Sequence, residues 1–499
     1  MPMAMTLSED RTADPTATAA VAAELRRLLP AERVITDIGR LRTYECDGLT
    51  GYRVVPGLVV LPETTEEVAA VVRACHGADV PYVARGAGTG LSGGALPVAD
   101  GVVVSLARMR RVVEIDVANQ RMTVEPGVTN ADISKVVAAE GLYFAPDPSS
   151  QSVCTIGGNI AENSGGAHCL KYGFTTNHVY AMTLVVPDGR VITVGGAGLD
   201  QVGPDLRGAV IGSEGTLAIA TQITVRLLRR PEAVRTLVAD FDSAEAAGRA
   251  VSGIIAAGII PAAVEMLDAL AIQACEQAVA AGFSLDTAAA LVVELDGPQA
   301  EVDEGFALVE RICADAGTTK ITLADDPDAR ARVWKGRKAA FAAMGRISPD
   351  YFVQDGVIPR TRLGEALSRI NEMAAEAGLR VANVFHAGDG NLHPLVLYNS
   401  AVEGESERGE HLSSAIAELC VELGGSITGE HGVGADKACS MSKMFTEDDL
   451  ATMKRLRTAF DPTGISNPGK IFPTPRLCGE RPGRYKAHPL EADGLIERM

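Results

Sequence analysis

The spacing of apolar and polar residues changes several times along the chain and divides it into segments. Residues 1–18 are rich in Ala, Thr, Pro and acidic residues and show no regular period, which is typical of a disordered tail. A short helix is predicted from about Ala19 to Leu29, because Pro30 stops the pattern. This helix belongs to an N-terminal helical segment over residues 19–53.

The next segment, residues 54–230, begins with a pattern that indicates strand, helix, strand and then a glycine loop. Thr64 or Thr65 is the expected N-cap of the helix, since acidic residues follow in the first turn. Short Val-rich runs then predict several strands, and Asp188-Gly189 predicts a hairpin turn between two of them.

A third segment begins near Pro231 and extends to residue 435. Ala-rich helices alternate there with strands such as AALVVELDG and RVANVFHAG, which predicts a mainly antiparallel sheet. Residues 436–499 form a predicted C-terminal helical segment. The predicted fold class of the chain is therefore α+β.

Glycine is concentrated in three loops within residues 54–230. The first, ARGAGTGLSGG (84–94), has five glycines among eleven residues. The other two are TIGGNIAENSGG (155–166) and GSEGTLAI (212–219). Glycine lets backbone N–H groups approach a ligand closely, and a run of free N–H groups binds a pyrophosphate. Three such loops predict a ligand of dinucleotide size that is enclosed by backbone.

Two other motifs overlap the first loop. Residues Gly88 to Gly93 match the G-x-G-x-x-G dinucleotide fingerprint, and Ser92 lies in a G-x-S-x-G hydrolase motif. Both motifs must open a helix. Pro97 and a Val-rich strand follow instead, so neither a Rossmann site nor a serine nucleophile is expected.

A histidine motif lies in the third segment, VFHAGDGNLHPLVLY (384–398). Asp389-Gly390 is a preferred two-residue hairpin turn, and such a turn would pair His386 directly with His393. Paired Cβ atoms lie about 4.5–5.5 Å apart, a distance that suits two imidazoles on one metal.

A third ligand is supplied by GGSITGEHGVG (424–434), which contains Glu430 and His431. Two histidines and a carboxylate leave the open positions of a catalytic metal, and zinc, manganese and iron all suit this set. A single histidine is more often a hydrogen-bonded structural residue, but three of the eight histidines fall in these two motifs. The set also suits a non-haem iron oxygenase, although that class has no use for dinucleotide loops.

Composition limits the partners. A formal net charge of -18 disfavours nucleic acid and anionic lipid. No apolar run approaches the roughly 20 residues of a spanning helix, and no signal-peptide pattern is present. We therefore expect a cytoplasmic protein with at most peripheral membrane association. The nine cysteines include no C-x-x-C pair, so we expect neither an iron–sulfur cluster nor structural zinc.

The order of the glycine loops resembles the FAD-binding domain of the vanillyl-alcohol-oxidase type of flavoprotein. The resemblance covers residues 54–230, and NPGK (467–470) resembles the return of the C-terminal segment to the flavin. It implies a two-subdomain FAD-binding domain followed by a substrate (cap) domain over residues 231–435. FAD is expected to bind without covalent attachment, because residues 84–94 contain no histidine. The implied FAD-binding residues are Arg85, Gly86, Ala87, Gly88, Thr89, Gly90, Ser92, Gly93, Pro146, Asp147, Gly157, Gly158, Asn159, Asn163, Gly165, Gly166, Tyr172, Gly173, Glu214, Gly215, Ile219 and Asn467.

Longer strings, among them YECDGLTGYR, APDPSSQ, HCLKYG and RVANVFHAGDGNLHP, are similar to the D-2-hydroxy-acid dehydrogenase branch of this family. The resemblance implies oxidation of a small 2-hydroxycarboxylate by FAD and a divalent metal, with glycolate as substrate and D-lactate as the alternative. The implied site residues are the metal ligands His386, His393 and Glu430, the base His431, and Arg337 as the partner of the substrate carboxylate.

Arg337 lies in VWKGRKAAF with Lys335 and Lys338, which are expected to remain on the surface. A basic helix face is the competing explanation for all three residues.

The resemblance also implies partners for the reduced flavin. These are a second flavin-type subunit and an iron–sulfur subunit, which pass electrons to the respiratory chain at the inner face of the cell membrane. A non-catalytic flavin-binding subunit is the alternative from a different class, and the open metal motif argues against it.

Overall fold

The computed structural model describes residues 12–199, 202–324 and 326–474. Two parts of the predicted terminal segments, residues 1–11 and 475–499, therefore lie outside the described residues. Across the described part, no helix is both long and apolar enough to cross a bilayer.

The first helix, α1 (Pro15–Leu25), begins before the predicted start at Ala19. The side chain of Asp14 accepts a hydrogen bond from the backbone N–H of Thr16, and proline is favoured in a first turn. The prediction of disorder is consequently wrong for residues 15–18.

Helices and strands before residue 232 belong to the part with the glycine loops. Its strands are β1 (Val34–Ile35), β2 (Leu58–Val60), β3 (Tyr82–Arg85), β4 (Val102–Ser105), β5 (Val112–Asp116), β6 (Arg121–Val124), β7 (Leu142–Tyr143), β8 (Val179–Val185), β9 (Val191–Gly195), β10 (Ile219–Arg226) and β11 (Leu228–Arg229). Its further helices are α2 (Ile38–Leu41), α3 (Thr65–Gly77), α4 (Asn130–Val136), α5 (Ile156–Glu162), α6 (Cys169–Tyr172) and α7 (Leu206–Val210).

The first sheet has the strand order β1-β2-β4-β3, with β2, β4 and β3 parallel. Helix α3 covers it with buried residues such as Val68 and Val72. Its N-cap is Thr64, whose side chain accepts from the backbone N–H of Glu67. The first glycine loop runs from β3 directly into β4 without a helix, which confirms that its G-x-G-x-x-G is not a Rossmann fingerprint.

The second sheet is antiparallel and has the order β5-β6-β10-β8-β9. The predicted hairpin at Asp188-Gly189 joins β8 to β9, and Gly189 has φ +78° in the turn. Strands β7 and β11 form a separate antiparallel pair, and β11 is the last strand of the first part of the chain.

The remaining elements build the second part. Its strands are β12 (Ala233–Phe241), β13 (Ala263–Asp268), β14 (Ala289–Gly297), β15 (Thr318–Ala324), β16 (Asp350–Val353), β17 (Gly356–Val357), β18 (Arg380–His386) and β19 (Asn391–Tyr398). Its helices are α8 (Ala244–Ala256), α9 (Ala269–Val279), α10 (Gln299–Asp315), α11 (Pro327–Ala343), α12 (Leu363–Ala377), α13 (Glu405–Glu422), α14 (Met441–Met444) and α15 (Glu447–Phe460).

These strands form one antiparallel sheet in the order β15-β12-β14-β13-β18-β19-β16, with β17 also paired to β19. Side chains alternate between its two faces. Leu291 and Val293 of β14 pack in a core that includes residues of α8, α10, α12 and α13. Ala290 and Val292 pack on the opposite face with residues of α9 and α11. The sheet is thus buried on both sides, and the predicted α+β class is confirmed.

The hairpin of β18 and β19 differs from the predicted register. His386 pairs with Asn391, and His393 pairs with Val384, so a four-residue loop replaces the two-residue turn. The Asp389 side chain accepts a hydrogen bond from the backbone N–H of Asn391 and stabilises this longer loop. The register moves by two residues, and an even shift keeps both histidines on the face covered by α9 and α11.

Candidate active site

The three glycine loops meet around one cavity of about 350 Å³, here called the glycine-loop cavity. The N-terminal end of α5 and the turn before β10 complete its wall. Predicted residues that line it are Arg85, Gly86, Ala87, Gly88, Thr89, Gly90, Gly157, Gly158, Asn159, Glu214, Gly215 and Ile219.

Glu430 and His431 line the same cavity from the second part of the chain. Below Glu430, His386 and His393 approach each other with ring centroids 5.0 Å apart. The Nε2 atoms of His386 and His393 lie 3.0 and 3.5 Å from Glu430 Oε1. Ligand atoms of these three residues, here called the His–Glu cluster, lie within 4.8 Å of one another.

The electrostatics of the cluster favour a positive charge at its centre. Burial disfavours the charged imidazole of His386, but Glu265 and Glu430 outweigh burial and raise its pKa well above the usual range. Burial opposes ionisation of Glu430 as well, yet His386 and then His393 lower its pKa to about 2. Glu430 Oε2 is buried without a hydrogen-bond partner. An unpaired buried carboxylate oxygen is costly, and a bound cation would satisfy it.

Glu265 stands behind the cluster. Its two oxygens lie 2.8 and 2.9 Å from His386 Nδ1, which leaves Nε2 as the ring nitrogen that faces Glu430. A carboxylate behind a histidine orients it for metal binding. Arg337 Nη2 lies 2.6 Å from Glu265 Oε2 with its side chain 2 % exposed. Arg337 therefore forms an ion pair with Glu265 directly behind the His–Glu cluster, and it is not among the residues that line the glycine-loop cavity.

Asp355 organises the loop that carries Glu430 and His431. Its carboxylate accepts hydrogen bonds from the backbone N–H groups of Gly429, Glu430 and His431 and from the Thr428 hydroxyl. His393 Nε2 and Lys437 Nζ lie 3.2 and 3.7 Å from it.

Asp355, His393 and His431 also converge closely enough to hold an ion. A carboxylate has about four lone-pair sites. Those of Asp355 already accept the loop's donors, so we favour the His–Glu cluster as the metal set.

Sequence patterns match known proteins over most of the chain. Residues 56–195 match a family model described as "FAD binding domain", and residues 230–471 match "FAD linked oxidases, C-terminal domain". "Glycolate oxidase subunit GlcD" of Escherichia coli (strain K12) is 49% identical over 91% of this chain and 91% of its own. The chain belongs to the FAD-linked oxidases of the vanillyl-alcohol-oxidase type.

Other similar proteins show the range of the resemblance. "D-lactate dehydrogenase [cytochrome], mitochondrial" of Arabidopsis thaliana is 31% identical over 85% of this FAD-linked oxidase and 74% of its own chain. The solved structure of 4-ethylphenol oxidase from Gulosibacter chungangensis shares the fold with a TM-score of 0.79, at 18% identity over 94% of this chain and 99% of that chain.

Several residues that the resemblance assigned to FAD lie outside the wall of the glycine-loop cavity. These are Ser92, Gly93, Pro146, Asp147, Asn163, Gly165, Gly166, Tyr172, Gly173 and Asn467. The Tyr172 hydroxyl donates to Asp296 Oδ2 at 2.6 Å. At Gly165 a Cβ atom would lie 2.7 Å from Glu430 Oε2, so this glycine makes room for the His–Glu cluster. Asn467 donates to the carbonyls of Gly94 and Glu214 and holds the C-terminal segment against two glycine loops.

Other wall residues escaped prediction. They include Pro148, Ser149, Ser150, Cys154, Thr155, Ala161, Glu162, Lys338, Phe341 and Ala342. Most are small and carry no local signal. Glu265 and Glu294 also escaped, although an acidic residue within an apolar strand is a usable signal, because a buried charge must have partners.

We expect Gly158→Leu to weaken FAD binding at least about tenfold, equivalent to about 1.4 kcal/mol. Gly158 lines the cavity, and the nearest atom to an added Cβ is Thr155 Oγ1 at 3.7 Å, so a leucine side chain would extend into open space. Leucine also favours the helical conformation of α5 more than glycine does. FAD titration of the apoprotein, followed by flavin fluorescence, measures the change.

Gly196→Leu is the matched control, since Gly196 is exposed and has no atom near its Cβ position. Equal FAD affinities in the two variants would contradict the assignment of the cavity. Thermal unfolding of both apoproteins separates loss of binding from loss of fold.

Proposed function

We propose that this enzyme oxidises a small 2-hydroxy acid, with glycolate as the substrate and glyoxylate as the product. The observation that carries the proposal is the position of His431. Its imidazole lines the glycine-loop cavity and stacks on His393, with centroids 4.8 Å apart and planes 8° apart. A candidate base, a candidate metal set and the FAD-binding loops thus meet at one place. The similarity to GlcD supports the substrate class.

Bound FAD would supply the oxidising power, because a flavin can take up the hydride that the oxidation of a 2-hydroxy acid releases. FAD is proposed to bind without a covalent bond, since the first glycine loop, residues 84–94, contains no histidine.

His431 is proposed to take the proton of the substrate hydroxyl. Its side chain is 13% exposed, and its Nε2 lies 4.0 Å from Glu430 Oε1. Its buried Nδ1 has no hydrogen-bond partner. The backbone on both sides of the ring is held, because the N–H donates to Asp355 and the C=O accepts from the Ser92 hydroxyl. An imidazole in a fixed position with one ring nitrogen unpaired suits general-base catalysis.

His386, His393 and Glu430 fit a divalent metal and would hold it by two nitrogens and a carboxylate oxygen. Burial, more than any other effect, lowers the pKa of His393 to about 4, so this ring is neutral and has a lone pair to give. A metal held there would lower the pKa of the substrate hydroxyl and orient the α-carbon. Zinc, manganese and iron all accept such a set.

D-lactate is the second candidate substrate. It differs from glycolate by one methyl group, which is worth only about 1–3 kcal/mol of discrimination. The specific observation that favours it is the similarity to the D-lactate dehydrogenase of Arabidopsis thaliana.

Electrons are proposed to leave the flavin through partner subunits, one of flavin type and one with iron–sulfur clusters, or to a quinone at the inner membrane face. Within the described residues, the groups that could hold a metal contain His, Asp and Glu but no cysteine. The similar protein of Escherichia coli is itself named as a subunit, which supports an assembly.

The test is the flavin absorption spectrum of the purified holoprotein under anaerobic conditions. We expect glycolate to bleach the flavin band, and D-lactate to do so more slowly or at higher concentration. Removal of the metal by a chelator should slow the bleaching, and Zn²⁺, Mn²⁺ or Fe²⁺ should restore it. A flavin that neither acid reduces, in metal-loaded protein, would exclude the proposed reaction.

A further inference from the structure

Two glutamates of the cavity wall come from different glycine loops. Glu162 ends α5, which begins in the second loop, and Glu214 lies in the third. Both side chains line the glycine-loop cavity. The backbone of Glu214 has φ +52°, a left-handed conformation that is uncommon for residues other than glycine. Such conformations persist where the surrounding structure requires them, so the position of this carboxylate is fixed by the loop.

Two glycines leave the space in which the carboxylates meet. At Gly432 an added Cβ atom would overlap Glu162 Oε2 and would lie 3.0 Å from Glu214 Oε1. At Gly94 it would lie 2.6 Å from Glu162 Oε1 and 3.5 Å from Glu214 Oε2. Gly432 directly follows His431, the proposed base. These two acids, here called the Glu162–Glu214 pair, therefore lie at the end of the cavity where the reaction is proposed.

The two carboxylates have unequal partners. Glu214 accepts hydrogen bonds from the backbone N–H groups of Val433 and Gly434 at 2.7 and 2.8 Å. Glu162 Oε2 is buried and has no hydrogen-bond partner. An ionised Glu162 would leave a buried charge unpaired beside a second carboxylate, and a proton on Glu162 removes both costs. The geometry thus makes Glu214 the charged member and Glu162 the neutral one.

The surrounding charges act in the same direction. Burial is the largest effect that raises the pKa of Glu162 well above its ordinary value, and Glu214, Asp47 and Asp355 add to it, whereas Lys437 opposes them. Burial raises the pKa of Glu214 as well, but its two backbone N–H partners oppose burial. A single proton held by the pair is therefore assigned to Glu162.

Three further charged side chains line the described wall of the cavity, namely Arg85, Lys338 and Glu430. A surface position was expected for Lys338, and that expectation is wrong. Lys338 Nζ lies 3.2 Å from Asp147 Oδ2, the Arg85 guanidinium lies 5.7 Å from the ring centre of Tyr44, and Glu430 belongs to the His–Glu cluster. Within the described residues, neither member of the Glu162–Glu214 pair has an ion-pair partner.

A metal ion does not explain the pair. The two sets of side chains that converge closely enough to hold a metal, among the residues that the structure describes, include neither Glu162 nor Glu214. Two carboxylates that meet without a cation share a proton, because both cannot ionise cheaply at close range.

We propose that the Glu162–Glu214 pair holds one proton and presents Glu162 as a neutral carboxylic acid that hydrogen-bonds the flavin ring of FAD. Reduction by a hydride adds one negative charge to that ring, and a neutral acid beside it avoids the repulsion that a carboxylate would cause. The inference rests on the proposed position of His431 at the reacting end of FAD, but it does not depend on which hydroxy acid is the substrate.

The first test is an infrared difference spectrum of the FAD-loaded protein, recorded while light and a photoreductant reduce the flavin at about pH 7, well above the ordinary pKa of glutamate. We expect the C=O band of a protonated carboxylic acid to shift on reduction. The band should be absent from Glu162→Gln and retained in Glu140→Gln, the matched control, because Glu140 is exposed. A spectrum without this band, or a band that remains in Glu162→Gln, would overturn the proposal.

Light reduces the flavin without any hydroxy acid, so this experiment can be read even if neither glycolate nor D-lactate is a substrate. Failure of the proposed function is thereby distinguished from failure of this inference.

The second test compares the affinities of the protein for reduced and oxidised FAD, whose ratio is given by the midpoint potential against a reference dye. Glutamine resembles the neutral acid in size and hydrogen bonding, so Glu162→Gln should leave the ratio within about threefold of the unsubstituted value. Glu162→Ala loses the hydrogen bond, and its dissociation constant for FAD should rise about tenfold.

A ratio that rises about tenfold or more in Glu162→Gln, equivalent to about 30 mV for a two-electron couple, would show that Glu162 is ionised and would overturn the proposal. Thermal unfolding of the variants separates lost FAD affinity from lost fold. The infrared spectrum and Glu162→Gln decide the matter even if Glu162→Ala does not fold, since neither requires a cavity in the wall.

Discussion

Replacing His431 with asparagine is expected to lower kcat for glycolate by about 10²- to 10⁴-fold, the usual contribution of a general base. Asparagine keeps the size and polarity of the side chain but cannot accept a proton near neutral pH. The backbone of residue 431 should stay in place, because Asp355 and Ser92 hold it through main-chain atoms. Rapid-mixing measurement of flavin reduction under saturating glycolate isolates this step from later electron transfer.

Metal content distinguishes the base from a ligand in this variant. If His431 acts as base, the His431→Asn enzyme keeps the metal of the His–Glu cluster and its FAD. Loss of metal from this variant would instead support the set of Asp355, His393 and His431 and would contradict the role given to His431. His411→Asn, on the exposed side of α13, is the matched control and should retain full activity.

The parts of the site that short local motifs define were largely predictable from the sequence. Glycine loops can be recognised in the sequence because no other residue permits so close an approach of backbone to a ligand. The His386–His393 hairpin was predicted with the wrong register, since Asp389-Gly390 favours a two-residue turn locally. In the fold, His386 pairs instead with Asn391. Both histidines still lie on one face of the sheet, because side chains alternate with a period of two and the register is shifted by two residues.

The supporting charges were not predictable in the same way. Glu265 and Glu294 lie within the apolar stretches of β13 and β14, and their partners lie far away in sequence. Neither the pairing of strands nor the rotation of α11 can be read from local patterns. Sequence alone therefore could not decide which of Arg337 and Lys338 faces the cavity, although they are neighbours.

Buried ion pairs also connect the two parts of the chain whose residues form the glycine-loop cavity. His168 and Asp147 come from the part with the glycine loops, whereas Glu294, Arg330 and Lys338 come from the part with the large sheet. The glycine-loop cavity is lined by residues of both parts, so these ion pairs also hold its two walls together.

Glu294→Ala is expected to destabilise the protein by about 3–5 kcal/mol, the cost of removing one partner from a buried charged set. Glu294 is 1% exposed, and it accepts hydrogen bonds from Thr236, Arg330 and Trp334. Its removal leaves Arg330 and His168 without their counter-charge, and it leaves the Thr236 hydroxyl and the Trp334 N–H without an acceptor. Denaturant unfolding of apoprotein, monitored by tryptophan fluorescence, measures the loss. Glu301→Ala, on the exposed side of α10, is the control and should have little effect.

The pH dependence of the free energy of unfolding tests the contacts of His168 with Asp147 and Glu294. Its pKa is about 10 in the folded protein against an ordinary 6.5, so its contribution is complete below about pH 6.5 and is lost as the pH rises through about 10. The pKa of Glu294 falls to about 2 despite burial, because His168 and Arg330 hold its charge, so its contribution is present above about pH 4.5 and disappears as the pH falls through about 2. In the His168→Gln variant, the free energy of unfolding should change less between pH 6.5 and pH 10 than in the unsubstituted protein. Its decrease at acidic pH should remain. An alkaline limb that remains unchanged in this variant would show that His168 is neutral in the folded protein.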